Sequence, residues 1–136
     1  MDGRSYKDLE LRQRAMDLVV ACYEVARTFP DYEIYGLVSQ IRRAAVSIPA
    51  NVAEGQGRQH RNEFIHHLSI AHGSLTEPET HIQIARRLGY LNHDGEQRLL
   101  KRTGEVGRLL NGLLRFLRKK SVTTDNRQPR TDNSCT

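Results

Sequence analysis

Apolar residues return every three or four positions in four successive segments of this chain, the period of an α-helix. In the first segment Leu11, Ala15, Leu18, Cys22, Val25 and Phe29 recur at 4–3–4–3–4, a heptad seam that Val19 and Ala26 widen. Ser5 followed by Asp8 resembles a capping box at its start. Pro30 ends it, because the residue before a proline is pushed out of the helical region. The loop FPDYE is short, so the second helix is expected to return antiparallel to the first.

The second segment runs from about Ile34 toward Glu54, with Leu37, Ile41, Ala44 and Ile48 on one stripe. Pro49 removes one backbone donor there and crowds the carbonyl four residues back. A kink is expected rather than an end, because Val52 stays in phase with Val38 and Ala45. EGQGRQH then reads as a turn or hinge. The third helix carries Phe64, Leu68, Ala71, Leu75, Ile82 and Ala85, and Pro78 occupies the missing seam position. In an isolated helix interior such a proline costs about 3 kcal/mol. Gly89 ends this helix. Asp94 with Gln97 marks the start of the fourth. Its expected seam is Leu99, Val106, Leu109, Leu113 and Phe116, flanked by Leu100, Leu110, Leu114 and Leu117. That face is wider than one bundle core requires, so part of it is expected to meet another subunit. From Ser121 the chain is polar and without period, and disorder is expected.

Composition narrows the function classes. The chain has 136 residues, the size of one domain, with 21 Lys plus Arg against 16 Asp plus Glu, a net charge of +5 and a pI near 9.6. This basicity permits binding to nucleic acid without requiring it. Trp is absent and aromatics are few, which argues against a base-stacking platform for single strands. Cys22 falls on an apolar stripe and Cys135 in a polar tail, a usage that suits a reducing cytoplasm. The start MDGRSYKDLELRQR is too charged for a signal peptide, and no run of 18 apolar residues exists to span a membrane.

The string E-x-YGL-x-x-QIRRAAVSIP-x-N-x-AEG, Glu33 through Gly55, resembles the four-helix-bundle proteins encoded in intervening sequences of bacterial 23S ribosomal RNA genes, the S23 family. Those are similar in turn to the accessory protein of diversity-generating retroelements. The likeness continues through Glu63–Phe64, SIAHGS at Ser69–Ser74, Glu79–Thr80 and IARRLGYL at Ile84–Leu91, and covers roughly residues 6 to 118. It implies a homo-oligomer, with a pentamer enclosing a central channel favoured. Two positions depart from the family pattern: Pro78, where an aliphatic residue is usual, and Arg12, where an aromatic is common. Arg61 to His66 also fits R-polar-x-x-x-H, which looks like the motif of the HEPN ribonucleases, but the pattern is short and easily met by chance.

The candidate nucleic-acid-binding residues are Arg42, Arg43, Arg58, Arg61, Arg108, Arg115 and Arg118. Guanidinium groups suit phosphate, and each neutralised phosphate steepens the salt dependence of binding. The competing expectation is a solvated surface with structural ion pairs to Glu54 and Glu33, and with Glu77 pairing Arg42 or Arg43. Gly55-Gln56-Gly57 lacks the remaining glycine of a dinucleotide fingerprint, since His60 stands at that place, and no G-K-[ST] follows. No two of His60, His66, His67, His72 and His81 lie four apart, so no metal site is expected and no cofactor. Glu77 and Glu79 diverge around a helix, which disfavours paired-carboxylate chemistry. The E-x-E-T stretch reads as an interhelix or intersubunit polar contact.

The expected fold is all-α: an antiparallel up-down four-helix bundle over 1–120 with a disordered C-terminal tail over 121–136. The expected function is that of a non-enzymatic, oligomeric basic scaffold binding structured RNA or DNA in the cytoplasm. A protein-interaction oligomer without a nucleic-acid role is the alternative, and an HEPN-like ribonuclease a remote one. The expected partners are further copies of the chain, RNA or DNA, and a protein.

Overall fold

A computed structural model describes residues 6–126, with side chains through Lys119. Five α-helices form four rods: α1 (Tyr6–Ala26), α2 (Leu37–Gln56), α3 (Arg61–Ser74) with α4 (Thr76–Arg87), and α5 (His93–Asn126). Antiparallel packing follows from cross-contacts. Gln56 Nε2 reaches the Asp8 carbonyl, Arg14 meets Glu105, Thr103 meets Glu79 and Arg118 meets Ser69. The Ser5 cap and residues 127–136 of the expected tail lie outside the described residues. Ser121 to Asn126 continue α5 as helix, so the polar segment does not leave the bundle rod at Ser121.

The core contains the expected stripes. Leu11, Ala15, Leu18 and Cys22 of α1 face Ile41, Ala45, Ile48 and Val52 of α2, and Leu68, Ala71, Ile82 and Ala85 complete the layer from α3 and α4. Phe29 is buried too, but from the loop after α1, where its ring meets that of Tyr90 with centroids 5.5 Å apart. Along α5 the buried seam is Leu99, Thr103, Val106, Leu110, Leu113 and Leu117, with Leu114 beside it. The expected seam was rotated by part of a turn. Leu109 is half-buried and Phe116 is exposed, because Thr103, read as polar, holds a core position. With that correction most of α5's apolar face is used within one bundle, and Phe116 stays exposed. Further exposed apolar residues lie on the outside of α1, at Leu9, Met16, Val20 and Tyr23.

Helix boundaries follow local chemistry. A short 3-10 turn at Asp31–Glu33 precedes α2, which therefore begins at Leu37 rather than Ile34. The Glu33 carboxylate accepts the Leu37 N–H at 3.0 Å, capping one of the donors that a helix start leaves open. Gly36 makes room for this cap, since a Cβ there would meet Glu33 Oε1 at 2.8 Å. The E-x-YGL string is thus a helix-start device. α2 continues through Pro49, as its hydrophobic phase required. Around the proline, side chains serve carbonyls: Ser47 Oγ donates to Ala44 O at 2.7 Å, and Asn51 Nδ2 to Ser47 O at 2.8 Å.

Gly55 is not a turn residue. It is buried inside α2, where a Cβ would meet His67 Cβ at 2.9 Å and Phe64 Cδ1 at 3.0 Å. The motif's AEG end is therefore the point of closest approach between α2 and α3, and the turn is confined to Gly57–His60. At Pro78 the expected single helix breaks. α3 ends at Ser74 and α4 begins at Thr76, which places the proline in the first turn, where an N–H has no intrahelical partner to lose. Beyond the last residue of α4, Arg87, Gly89 with a φ of +82° closes a Schellman turn: Tyr90 N–H bonds to Ala85 O at 2.9 Å and Gly89 N–H to Arg86 O at 3.1 Å. Asn92, not Asp94, starts α5, its Oδ1 accepting the Gly95 N–H at 2.8 Å. No helix among the described residues is long and apolar enough to cross a membrane.

Candidate nucleic-acid interface

The seven candidate arginines do not form one cluster. Arg42 and Arg43 sit in the first two turns of α2, whereas Arg58 follows its end and Arg61 opens α3. Sixteen residues of near-helical chain separate Arg42 from Arg58, roughly 24 Å at 1.5 Å per residue. The two pairs therefore occupy opposite ends of the bundle.

Arg42 is half-buried, and its guanidinium lies over the Tyr23 ring at 4.9 Å from the centroid, a cation–π contact between α2 and α1. Its Nε is buried without a hydrogen-bond partner. Arg42 is thus committed to interhelix packing. Arg43 is exposed and borders a groove of about 430 Å³ between α2 and α4, together with Gln40, Ser47, Glu77, Thr80 and His81. Neither arginine makes an ion pair with Glu77 among the described residues. Glu79, its neighbour in the E-x-E-T stretch, accepts the buried Thr103 hydroxyl at 3.2 Å, an interhelix contact between α4 and α5.

Arg58 and Arg61 lie toward the other end, whereas Arg115 and Arg118 are exposed further back along the antiparallel α5. Arg58 pairs with Glu54 at 2.6 Å, with both side chains about half exposed, so the pair contributes little to stability and leaves the guanidinium accessible. Arg118 donates to Ser69 Oγ at 2.9 Å, which fixes it on the α3 side of α5. Arg61 lies eight residues before Ser69, about 12 Å further along α3. Arg108 and Arg115 are exposed and make no ion pair among the described residues. Glu33, the other proposed arginine partner, is engaged instead by Leu37 and Tyr90.

Arg61 and His66 are both exposed but five residues apart on one helix, and so point about 140° away from each other. No group of three or more His, Cys, Asp or Glu among the described residues is placed to hold a metal ion. Burial without a charged neighbour pushes the Cys22 thiol up to about 12, which makes it an inert core residue.

Comparisons with known proteins agree with this architecture. A crystal structure of a protein of unknown function from the S23 ribosomal protein family of Bacteroides thetaiotaomicron superposes with a TM-score of 0.74 at 23% identity, covering 80% of this chain and 98% of that one. At that identity the likeness shows the fold alone. No curated protein matches. The family model for the 23S rRNA-intervening sequence protein matches residues 7–112. The chain belongs to the 23S rRNA-intervening sequence protein family.

Proposed function

We propose that this protein is a non-enzymatic, self-associating basic scaffold that binds nucleic acid, RNA or DNA, through exposed cationic side chains of the α2–α3 turn and α5. The observation that carries it is the exposure of Arg58, Arg61, Arg115 and Arg118, contributed by the turn after α2, the start of α3 and α5. Arg108 extends that surface along α5. Assembly would multiply the field, and potentials of this kind steer phosphate-bearing partners. The pentamer implied by the family resemblance is the expected stoichiometry. A cytoplasmic location belongs to the same reading, and the free, buried thiol of Cys22 suits it. Fluorescence-anisotropy titration with a structured RNA and a duplex DNA at several salt concentrations tests it, with mass by light scattering on the same sample. Binding whose log affinity falls steeply with log salt supports the proposal. No binding at roughly 50 mM salt, where such electrostatic contacts are strong, defeats it.

One observation favours a second reading, an oligomer that engages proteins alone. The exposed face of α1 carries Leu9, Gln13, Met16, Val20 and Tyr23 at 4–3–4–3, a second line turned away from the core, with Tyr23 beneath the Arg42 guanidinium at its end. A helix with two such seams is built to pack on both sides. Its natural occupant is a second copy. V20E should lower the light-scattering mass if this seam joins subunits, and should leave it unchanged if not.

A further inference from the structure

Resting on the nucleic-acid reading above, we propose that the outward face of α5 is a docking track for the phosphate backbone of an A-form RNA duplex. Lys101, Arg108, Arg115 and Lys119 are all exposed and follow at seven, seven and four residues. At 100° per residue they fall within an arc of about 40°, diametrically opposite the buried Leu99–Val106–Leu113 side. They span about 27 Å at 1.5 Å rise per residue. Two of the four, Lys101 and Lys119, were not among the candidate residues. The signal that could have found them is the seven-residue repeat, masked in the sequence by the many other basic residues of this helix.

Between these cations the surface on the line is small. Gly104, Asn111 and Gly112 intervene, and a Cβ at Gly112 would have no neighbour within 4 Å. Glu105, the lone acidic residue between Lys101 and Lys119, flanks the line on the side away from Asn111 and is held by Arg14 at 3.4 Å. Phosphate ridges can therefore approach the helix between Lys101 and Lys119, while Asp94, seven residues before Lys101, bounds the track at the start of α5.

The geometry also selects the ligand. α5 packs between α1 and α3 and does not project, so it cannot enter a deep groove. The wide, shallow minor groove of A-form RNA presents phosphates and 2′-hydroxyls to a flush surface of this kind. Exposed Asn111, between Arg108 and Arg115, offers an amide to a 2′-hydroxyl. No aromatic ring lies on the line, so single-strand stacking is not supported there.

The test is anisotropy titration of the full chain with a blunt 20–30-base-pair RNA duplex (roughly the span a flush RNA-binding surface covers, with margin), the same sequence as duplex DNA, and a single strand. R108Q/R115Q is compared with R58Q/R61Q. G112E serves as a second variant, since it removes a glycine from a helix interior and places an acid on the track without steric conflict. The expected result is preference for the RNA duplex, a log–log salt slope about 2 smaller in magnitude for R108Q/R115Q, and weakened binding by G112E. Equal affinity for DNA, preference for the single strand, or an unchanged slope in R108Q/R115Q beside a reduced one in R58Q/R61Q would overturn the track while leaving nucleic-acid binding standing. Absence of any binding by the unaltered protein would remove both.

Discussion

The Tyr90 hydroxyl donates to Glu33 Oε2 at 2.8 Å, joining the turn after α4 to the turn before α2. The same carboxylate accepts the Leu37 N–H, and Tyr32 places its hydroxyl 3.4 Å from that of Tyr90. One carboxylate therefore caps a helix and ties two loops that are 57 residues apart. It also ties the two longest strings of the family resemblance, E-x-YGL and IARRLGYL.

This bond network is expected to be acid-labile. The Leu37 N–H, and then the Tyr90 hydroxyl, hold the Glu33 carboxyl below the usual carboxylate range. A group whose folded pKa is depressed contributes stability that is present above its unfolded value, near about 4.3, and is lost as pH falls through the folded one. Melting temperature should therefore fall on acidification below about pH 4, and E33Q should flatten that part of the profile. Y90F should leave the Leu37 cap in place and shrink the acid dependence only in part. Thermal melts between pH 3 and 7 check both.

Gly55 should not tolerate a methyl group. With His67 Cβ at 2.9 Å and Phe64 Cδ1 at 3.0 Å from the added carbon, α2 and α3 must move apart. Overpacking of this kind costs about 1–3 kcal/mol. G112A, at a helix position with open space, should instead stabilise by about 0.5–1 kcal/mol. Urea denaturation of the two variants should move the midpoint in opposite directions.

Thr103 is fully buried, its hydroxyl 2.8 Å from the Leu100 carbonyl and 3.2 Å from Glu79 Oε2. T103V keeps the shape and removes the donor that Glu79 meets. A loss of about 1 kcal/mol is expected from the missing hydrogen bond. T103V/E79A should cost less than the sum of the single changes if the two side chains act as a pair, which a double-mutant cycle measures.

Cys22 should report global opening. The thiol is buried and pushed up to about 12, so little thiolate forms at neutral pH. In a C135S background, reaction with a thiol reagent should be slow in buffer and should rise with denaturant in parallel with loss of helicity. Fast labelling in buffer would mean that the α1 core opens locally.

Much of the architecture was legible because helices write their burial as a period. The seams of α1, α2 and α3, the passage of α2 through Pro49 and the stop at Gly89 were all readable from spacing and local sterics. The tail boundary, the α5 register and the continuity of the third rod were not. Thr103 is polar by residue type, and its hydroxyl tolerates burial because the Leu100 carbonyl of its own helix and the Glu79 carboxylate of α4 both lie within hydrogen-bond distance. Pro78 could either kink a helix or open a new one, and the sequence contains no term that decides between them.

The site was less legible than the fold. Adjacent arginines at 42 and 43 and a pair at 58 and 61 look close along the chain, but a straight helix carries them to opposite ends. Gly55 looked like a turn glycine until α3 was seen to pack on it. Local periodicity, caps and charge were set by the sequence alone, because they depend on neighbours within a few residues. Which surplus face remains outside, which arginine stacks on Tyr23 and which cations share a line on α5 were decided by tertiary structure, because each depends on where helices distant in sequence come to lie.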